Sequence, residues 1–327
     1  MHAEQVIDMQ ADLVKRLDTD KKFRAYLKSA LTGDSKWLQD VPDSVGTAMY
    51  TALVENVRAA YAYRVTPDMC SMVEFAASQL DDTDRFTPNM MPTGTGIVRF
   101  ERPLPMKDVR GRTMDIHWLI WGPTRLGTLD AFGRNQSGTG LWWFNDTDDP
   151  DEVSREIIEK FTMPFVIRTI GRWGFIGAEA MFPRRRMGPA LRVVNPANSA
   201  RILADGAIPT EYTNAPRFAM ALWLLLNQTI TDVSEEHLRT GRRKNAQKMG
   251  IPSRVSVIQL RRIAGVNRKE GESLVQWSHR WVVRGFWRWQ PCGEGRTERR
   301  RIWIRPFVKG PADMPLIITD KVYELRR

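Results

Sequence analysis

The chain has 327 residues, 42% of them hydrophobic, and a mean hydropathy of -0.40, which fits one large or two ordinary globular domains and excludes a disordered chain. Its longest apolar run, residues 218–226, is far shorter than the roughly 20 residues that a membrane span needs. The net charge of +11 is uneven: residues 239–327 hold 22 Lys and Arg against 7 Asp and Glu, and residues 1–238 hold 27 against 31. A basic C-terminal region on a mildly acidic body is typical of a protein that contacts a polyanion.

The first region, residues 1–84, is predicted to be helical. Apolar residues recur at helical spacing over residues 5–17, 23–31 and 48–63. Thr66 and Pro67 resemble an N-cap followed by proline at the first helical position, which predicts a helix over residues 68–80. The acidic run after it marks a linker or an exposed corner.

The second region, residues 85–233, is predicted to be a mixed α/β body. Strand-like runs occupy residues 96–100, 113–121 and 140–144, and residues 135–139 are predicted to form a turn. Both faces of the run 113–121 are largely apolar, which predicts a central strand. Helices are predicted over residues 148–161 and 215–230, and the second is apolar enough to be buried. Residues 165–175 are compatible with a strand or a helix.

The third region, residues 234–327, is predicted to be a basic helix followed by a β-rich module. The helix spans residues 234–248 and ends at Gly250. Strands are predicted over residues 255–260, 274–289, 301–307 and 321–325, with a possible bend at Gly285 and a turn at residues 291–295. The fold class is therefore α+β, with a helical N-terminal region, a mixed middle and a small antiparallel, basic C-terminal module.

The cysteines and the N-terminus indicate a cytoplasmic protein. Cys70 and Cys292 lie far apart and cannot form a disulfide framework. The N-terminus lacks the basic start and apolar block of a signal peptide. We therefore expect a reducing, cytoplasmic environment.

The stretch 276–309 interleaves tryptophans with arginines, the combination that binds phosphates and bases. Strand alternation predicts a hairpin with an apolar inner face and an arginine outer face. The candidate nucleic-acid-binding residues are Arg242, Arg243 and Lys244 on the basic helix, with Arg280, Arg284, Arg288, Arg299, Arg300, Arg301, Arg305, Trp287, Trp289 and Trp303 in this stretch. The alternative is structural, with tryptophans that stack on arginines or belong to the core and arginines that form a solvated face.

Three segments of the C-terminal region also resemble a known protein family. They run from Arg280 to Gln290 (RWVVRGFWRWQ), from Ile302 to Pro311 (IWIRPFVKGP) and from Lys321 to Tyr323 (KVY). This pattern is similar to the C-terminal signature of an uncharacterised family common in actinobacteria, their phages and their plasmids. Members usually carry a histidine where this chain has Phe286. The resemblance implies a phage or mobile-element setting and no particular reaction.

Two weaker sets of residues could carry catalysis. Asp115 and His117 are two apart in a predicted strand and, with Asp130, could hold a divalent metal in a nuclease-like site. His279, beside Arg280, could act as a general acid or base on phosphate or ribose. A packed histidine is the alternative in each case. The sequence contains no phosphate-binding glycine loop, dinucleotide fingerprint or zinc-ligand spacing, so no metal or cofactor is predicted.

The sequence leaves three functions open. The first is a cytoplasmic nucleic-acid-binding protein, acting as a regulator or accessory factor of a phage or mobile element. The second is a toxin-like or defence-related nuclease that uses Asp115 and His117, or His279. The third is an interaction factor that binds a host protein through exposed tryptophans.

Overall fold

The computed structural model describes residues 3–32, 43–80, 88–107, 113–129, 135–146, 173–181, 215–228, 230–261, 281–283, 285–304 and 307–309. The fold is α+β, as the sequence predicts. The chain divides into two compact units, Met1–Leu260 and Arg261–Arg327.

The first unit combines helices with one mixed sheet. Its helices are α1 (Ala3–Thr19), α2 (Lys21–Thr32), α3 (Asp43–Ala59), α4 (Pro67–Ser78), α5 (Ala215–Leu226) and α6 (Thr240–Lys248). Its strands are β1 (Tyr61–Val65), β2 (Gly96–Lys107), β3 (Thr113–Leu129), β4 (Asn135–Asn145), β5 (Gly174–Met181), β6 (Thr231–His237) and β7 (Arg254–Leu260). The sheet order is β5-β4-β3-β2-β1-β7-β6, with β1 parallel to β2 and β7 and the other neighbours antiparallel.

Both faces of the sheet are covered. The apolar stripes of α1, α2 and α3 form one core with Trp118, Trp142 and Phe144 of the sheet. On the opposite face Trp121 contacts Trp223 of α5 at 5.8 Å between ring centroids and stacks on Tyr63 at 5.4 Å. Strand β3 alternates between these two cores, which confirms that both of its faces are buried.

Two local features fix the register of β2 against β3. Gly96 lies opposite Trp121, and a Cβ at Gly96 would come within 2.1 Å of the indole, so only glycine fits there. The pairing then shifts between Arg99 and Leu104. This segment contains Pro103, and a proline cannot donate a ladder hydrogen bond and is typical of such irregularities.

The second unit is built on two small antiparallel pairs. Strands β9 (Phe286–Cys292) and β10 (Glu298–Ile304) form a hairpin, and β8 (Trp281–Val283) pairs with β11 (Phe307–Lys309). The bend predicted at Gly285 is confirmed as the break between β8 and β9. Residues 261–327 hold 16 Lys and Arg against 7 Asp and Glu.

Three predicted boundaries are wrong. The helix predicted over residues 48–63 ends at Ala59, and residues 61–65 form β1, which pairs with β2 and β7. Residues 234–237 belong to β6, and the basic helix begins only at Thr240. Residues 135–139, predicted as a turn, are extended in β4.

The regions predicted from composition divide the chain differently from the two units. The sequence predicts that residues 234–260 belong to the C-terminal region, but strands β6 and β7 and helix α6 belong to the first unit. The reason is that β7 pairs with β1 in the large sheet. The helix predicted over residues 148–161 and the strand predicted over residues 321–325 lie outside the described residues.

Candidate nucleic-acid interface

The β9–β10 hairpin carries most of the described candidate residues. Its register is Cys292–Glu298, Pro291–Arg299, Gln290–Arg300, Trp289–Arg301, Arg288–Ile302, Trp287–Trp303 and Phe286–Ile304. Because directly opposed residues share a face, Trp287, Trp289, Arg299, Arg301 and Trp303 all lie on one face, called here the tryptophan face. The opposite face carries Phe286, Arg288, Gln290, Arg300, Ile302 and Ile304.

The predicted separation of apolar and cationic faces is wrong. Arg299 and Arg301 lie on the tryptophan face, and Arg288 and Arg300 lie on the other face among isoleucines. The period of two places Arg301 opposite Trp289 and Arg288 opposite Ile302, so both faces are amphipathic. The basic hairpin therefore presents aromatic rings and guanidinium groups together.

The tryptophan face divides into a covered end and an open end. Trp303 is only 6% exposed, and its ring meets that of Trp287 edge to face at 4.9 Å between centroids. Trp289, nearer the turn, is 53% exposed. The guanidinium carbon of Arg301 lies 5.2 Å from the centroid of the Trp289 ring, within the range of a cation–π contact.

The arginines near the turn are open to solvent. Arg288, Arg296, Arg299 and Arg300 are exposed, and Arg301 is half-buried. The Nη2 atom of Arg288 donates to Oε1 of Gln290 at 2.7 Å, which orients that guanidinium along β9. Over residues 286–304 there are five arginines and two glutamates, so this segment is cationic.

The turn that joins the strands has an unusual backbone. Gly293 and Gly295 have φ of 77° and 63°, and Arg296 between them and β10 has φ of 57°. Glycine adopts this left-handed region at no steric cost, whereas arginine is uncommon there. The turn therefore depends on the PCGEG sequence, and it holds the guanidinium of Arg296 at the tip.

The basic helix α6 offers fewer available cations than its sequence predicts. Nε of Arg242 lies 2.9 Å from Oδ2 of Asp8, its Nη1 also pairs with Glu4, and both carboxylates belong to α1. The backbone N–H of Arg239 donates to Glu4 at 3.0 Å. Arg242 therefore ties α6 to α1, whereas Arg243 and Lys244 are exposed.

Asp115 and His117 lie at a junction between the start of β3 and the end of β4. His117 is 8% exposed, and its Nδ1 accepts a hydrogen bond of 3.2 Å from the backbone N–H of Asp146. The buried Asn145 donates to the backbone carbonyl of Asp115 at 2.9 Å, and Arg99 pairs with Asp146 at 3.3 Å. His117 therefore has a hydrogen-bonding role at this junction, and its assignment to a nuclease-like site stays a prediction.

Several candidates lie outside the described residues. These are His279, Arg280, Arg284, Arg305 and Asp130. In the part of the chain that the structure describes, no group of three His, Cys, Asp or Glu side chains is arranged to hold a metal ion. No helix among the same residues is long and apolar enough to cross a membrane.

The exposed ring of Trp289 is the feature that the sequence could not single out. The chain contains 12 tryptophans. Among those whose burial the structure describes, six are almost fully buried: Trp118, Trp121, Trp142, Trp143, Trp173 and Trp223. A period of two assigns a residue to a face of a hairpin. It does not say which end of that face other parts of the unit cover.

Comparison with known proteins gives little further information. No family model matches the chain, and no curated protein matches it. Among solved structures the chain is similar to AcrVA2, with 14% identity and a TM-score of 0.39, over 94% of this chain and 99% of that chain. A TM-score of 0.39 is too low to establish a shared fold or a shared function.

Proposed function

We propose that the protein binds nucleic acid in the cytoplasm through the β9–β10 hairpin, as a regulatory or accessory factor of a phage or mobile element. The observation that supports this most is the open end of the tryptophan face, where the exposed residues Trp289 and Arg299 are diagonal neighbours in the ladder. The phage or mobile-element setting rests on the family resemblance of the C-terminal segments. The cytoplasmic setting rests on the two separated cysteines.

The chemistry of the hairpin suits a phosphate backbone. Arginine binds phosphate through a planar fork of N–H donors and is always charged. The exposed arginines Arg288, Arg299 and Arg300 lie on adjacent strands, which are about 4.8 Å apart. Their charges are therefore concentrated on one small element, where binding would release several counterions.

The exposed cations of α6 add a second, separate basic element in the first unit. Arg243 and Lys244 are available for phosphate contact because their side chains are exposed. Arg242 is assigned a structural role, since two carboxylates of α1 already neutralise it.

Fluorescence anisotropy with labelled duplex DNA, single-stranded DNA and RNA tests the proposal at 50 and 200 mM salt. Contact with three phosphates predicts a loss of affinity between the two salt concentrations of roughly 20-fold for a single strand and roughly 40-fold for duplex DNA. The double reversal Arg299→Glu/Arg300→Glu should abolish this binding, whereas Arg254→Glu, at an exposed site of the first unit, should leave most of it. Absence of salt-sensitive binding to all three probes would remove the proposal.

A second candidate function, host-protein binding, is favoured by one observation. Phe286 is 39% exposed and Trp289 is 53% exposed, on opposite faces of the same hairpin. Exposed aromatic side chains are common anchors of protein interfaces. A pull-down from nuclease-treated host extract discriminates the two functions, because a partner held through nucleic acid is lost and a directly bound protein is retained.

A further inference from the structure

We propose that Trp289 is a base-stacking platform and that the hairpin takes single-stranded nucleic acid in preference to duplex. The inference rests on the proposed function, since it names the class of nucleic acid bound at the same hairpin. It is carried by the arrangement of the three tryptophans and two arginines of the tryptophan face.

The first step is that the three tryptophans of this face differ in packing and exposure. Trp287 and Trp303 lie opposite each other, and their rings are in edge-to-face contact, so this pair packs the covered end of the face. Trp289 is one position further along the same face, yet about half of it is open to solvent. A third tryptophan is therefore unnecessary for the packing of the pair, and its ring is available to a ligand.

The second step is the way in which the ring is held. Arg301 lies directly across the ladder from Trp289, and its guanidinium carbon is 5.2 Å from the ring centroid. A guanidinium over one ring face restricts the indole and leaves the other side of the ring to face a ligand. An aromatic ring held in place before binding loses little side-chain entropy when a base stacks on it.

The third step is the position of the nearest exposed cation. Arg299 lies two residues from Arg301 on the same face of β10, a separation of about 6.7 Å along the strand. Arg299 is exposed and diagonal to Trp289. A nucleotide whose base stacks on the ring would therefore have an arginine beside it for its phosphate.

The fourth step decides between single strand and duplex. In a duplex the faces of the bases are covered by their neighbours, and only base edges and phosphates are accessible. In a single strand the bases can leave the stack, and proteins bind them on aromatic side chains beside basic residues. An exposed indole beside an exposed arginine matches the second arrangement, because a duplex would leave the ring without a partner.

The test compares three 12-nucleotide probes with wild-type protein, Trp289→Ala and Trp289→Phe. The probes are a single strand, a strand of the same length that is abasic at every position, and the duplex. Stacking of one base predicts that Trp289→Ala weakens single-strand binding by about 10-fold, and that Trp289→Phe retains most of the affinity. The abasic strand should bind wild type weakly, with little further loss in Trp289→Ala, because the stacked base is already missing.

Each other outcome has a defined meaning. If Trp289→Ala leaves single-strand affinity unchanged, or lowers single-strand and duplex affinity equally, the platform is overturned while nucleic-acid binding stands. If no probe binds in a salt-sensitive way, the proposed function fails and this inference with it.

Thermal unfolding of the Trp289 variants should match wild type, since the side chain is half exposed. A large loss of stability would show that the ring is structural and would also overturn the platform.

Discussion

Arg301 and Trp289 are directly opposed in the β9–β10 ladder, and the guanidinium of one lies over the ring of the other. This contact predicts a role for Arg301 that depends on its planar shape as well as on its charge. Arg301→Lys keeps the charge and loses the stacked plane. Single-strand affinity should fall by roughly 3-fold, the size of an exposed cation–π contact. The slope of log affinity against log salt should not change, since the charge is retained. Removal of the charge in Arg301→Ala separates the two roles, because a slope smaller by about 0.7 in that variant would identify Arg301 as a phosphate ligand instead.

The two ends of the tryptophan face should respond differently to truncation. Trp303 is 6% exposed, so Trp303→Ala leaves a cavity and should lower the free energy of unfolding of the second unit by about 3 kcal/mol. Trp289 is 53% exposed, so Trp289→Ala should lower the free energy of unfolding much less. Hydrogen exchange of the hairpin amides measures both variants in the intact chain. Equal loss of protection in the two variants would contradict the division into a covered and an open end.

His117 is predicted to matter for stability and not for nucleic-acid binding. Its Nδ1 accepts the backbone N–H of Asp146 in a site that is 8% exposed. His117→Phe removes that acceptor and should cost about 2 kcal/mol, whereas His117→Asn can still accept and should cost less. Urea denaturation gives the free energies, and anisotropy should give wild-type affinity for both variants. Loss of a nucleic-acid cleavage activity in both variants, at unchanged stability, would contradict this prediction and support the nuclease hypothesis.

Cys70 makes the folded state sensitive to alkali. Burial raises the pKa of its thiol from 9.0 to about 11, so unfolding releases a proton above pH 9. The stability that this group contributes is fully present below pH 9 and is lost as the pH rises to about 11. Between pH 8 and 10.5, the free energy of unfolding should therefore fall by about 2 kcal/mol more in wild type than in Cys70→Ala. Parallel pH profiles for the two proteins would show that the thiol is accessible to water in the folded chain.

Much of the fold could be predicted because most elements are locally consistent. Helices α1 and α2, the buried helix α5 and the interior strand β3 all have apolar residues at the spacing of their element, and the structure confirms them. The errors have tertiary causes. Residues 61–65 follow a helix without a strong stop signal, and they become a strand because β2 and β7 pair with them on both sides.

The candidate site could be predicted only in part. The hairpin and its turn follow from the alternation around the PCGEG sequence. The composition of its two faces could not be predicted in this way, because residues 286–304 place arginines beside aromatic residues on each face. Arg242 is paired with Glu4 and Asp8, which lie more than 230 residues away in sequence. No local sequence pattern indicates that these carboxylates neutralise its charge.

The salt dependence of nucleic-acid binding tests the central claim most directly, with Arg299→Ala compared against Arg242→Ala. Each variant removes one arginine from the chain, but Arg299 is exposed on the hairpin and Arg242 is held by two carboxylates of α1. If the hairpin binds phosphate, Arg299→Ala should weaken single-strand affinity and lower the slope of log affinity against log salt by about 0.7. Arg242→Ala should leave that slope unchanged. The opposite pattern, or equal slopes in wild type and Arg299→Ala, would contradict the assignment of the hairpin as the nucleic-acid interface.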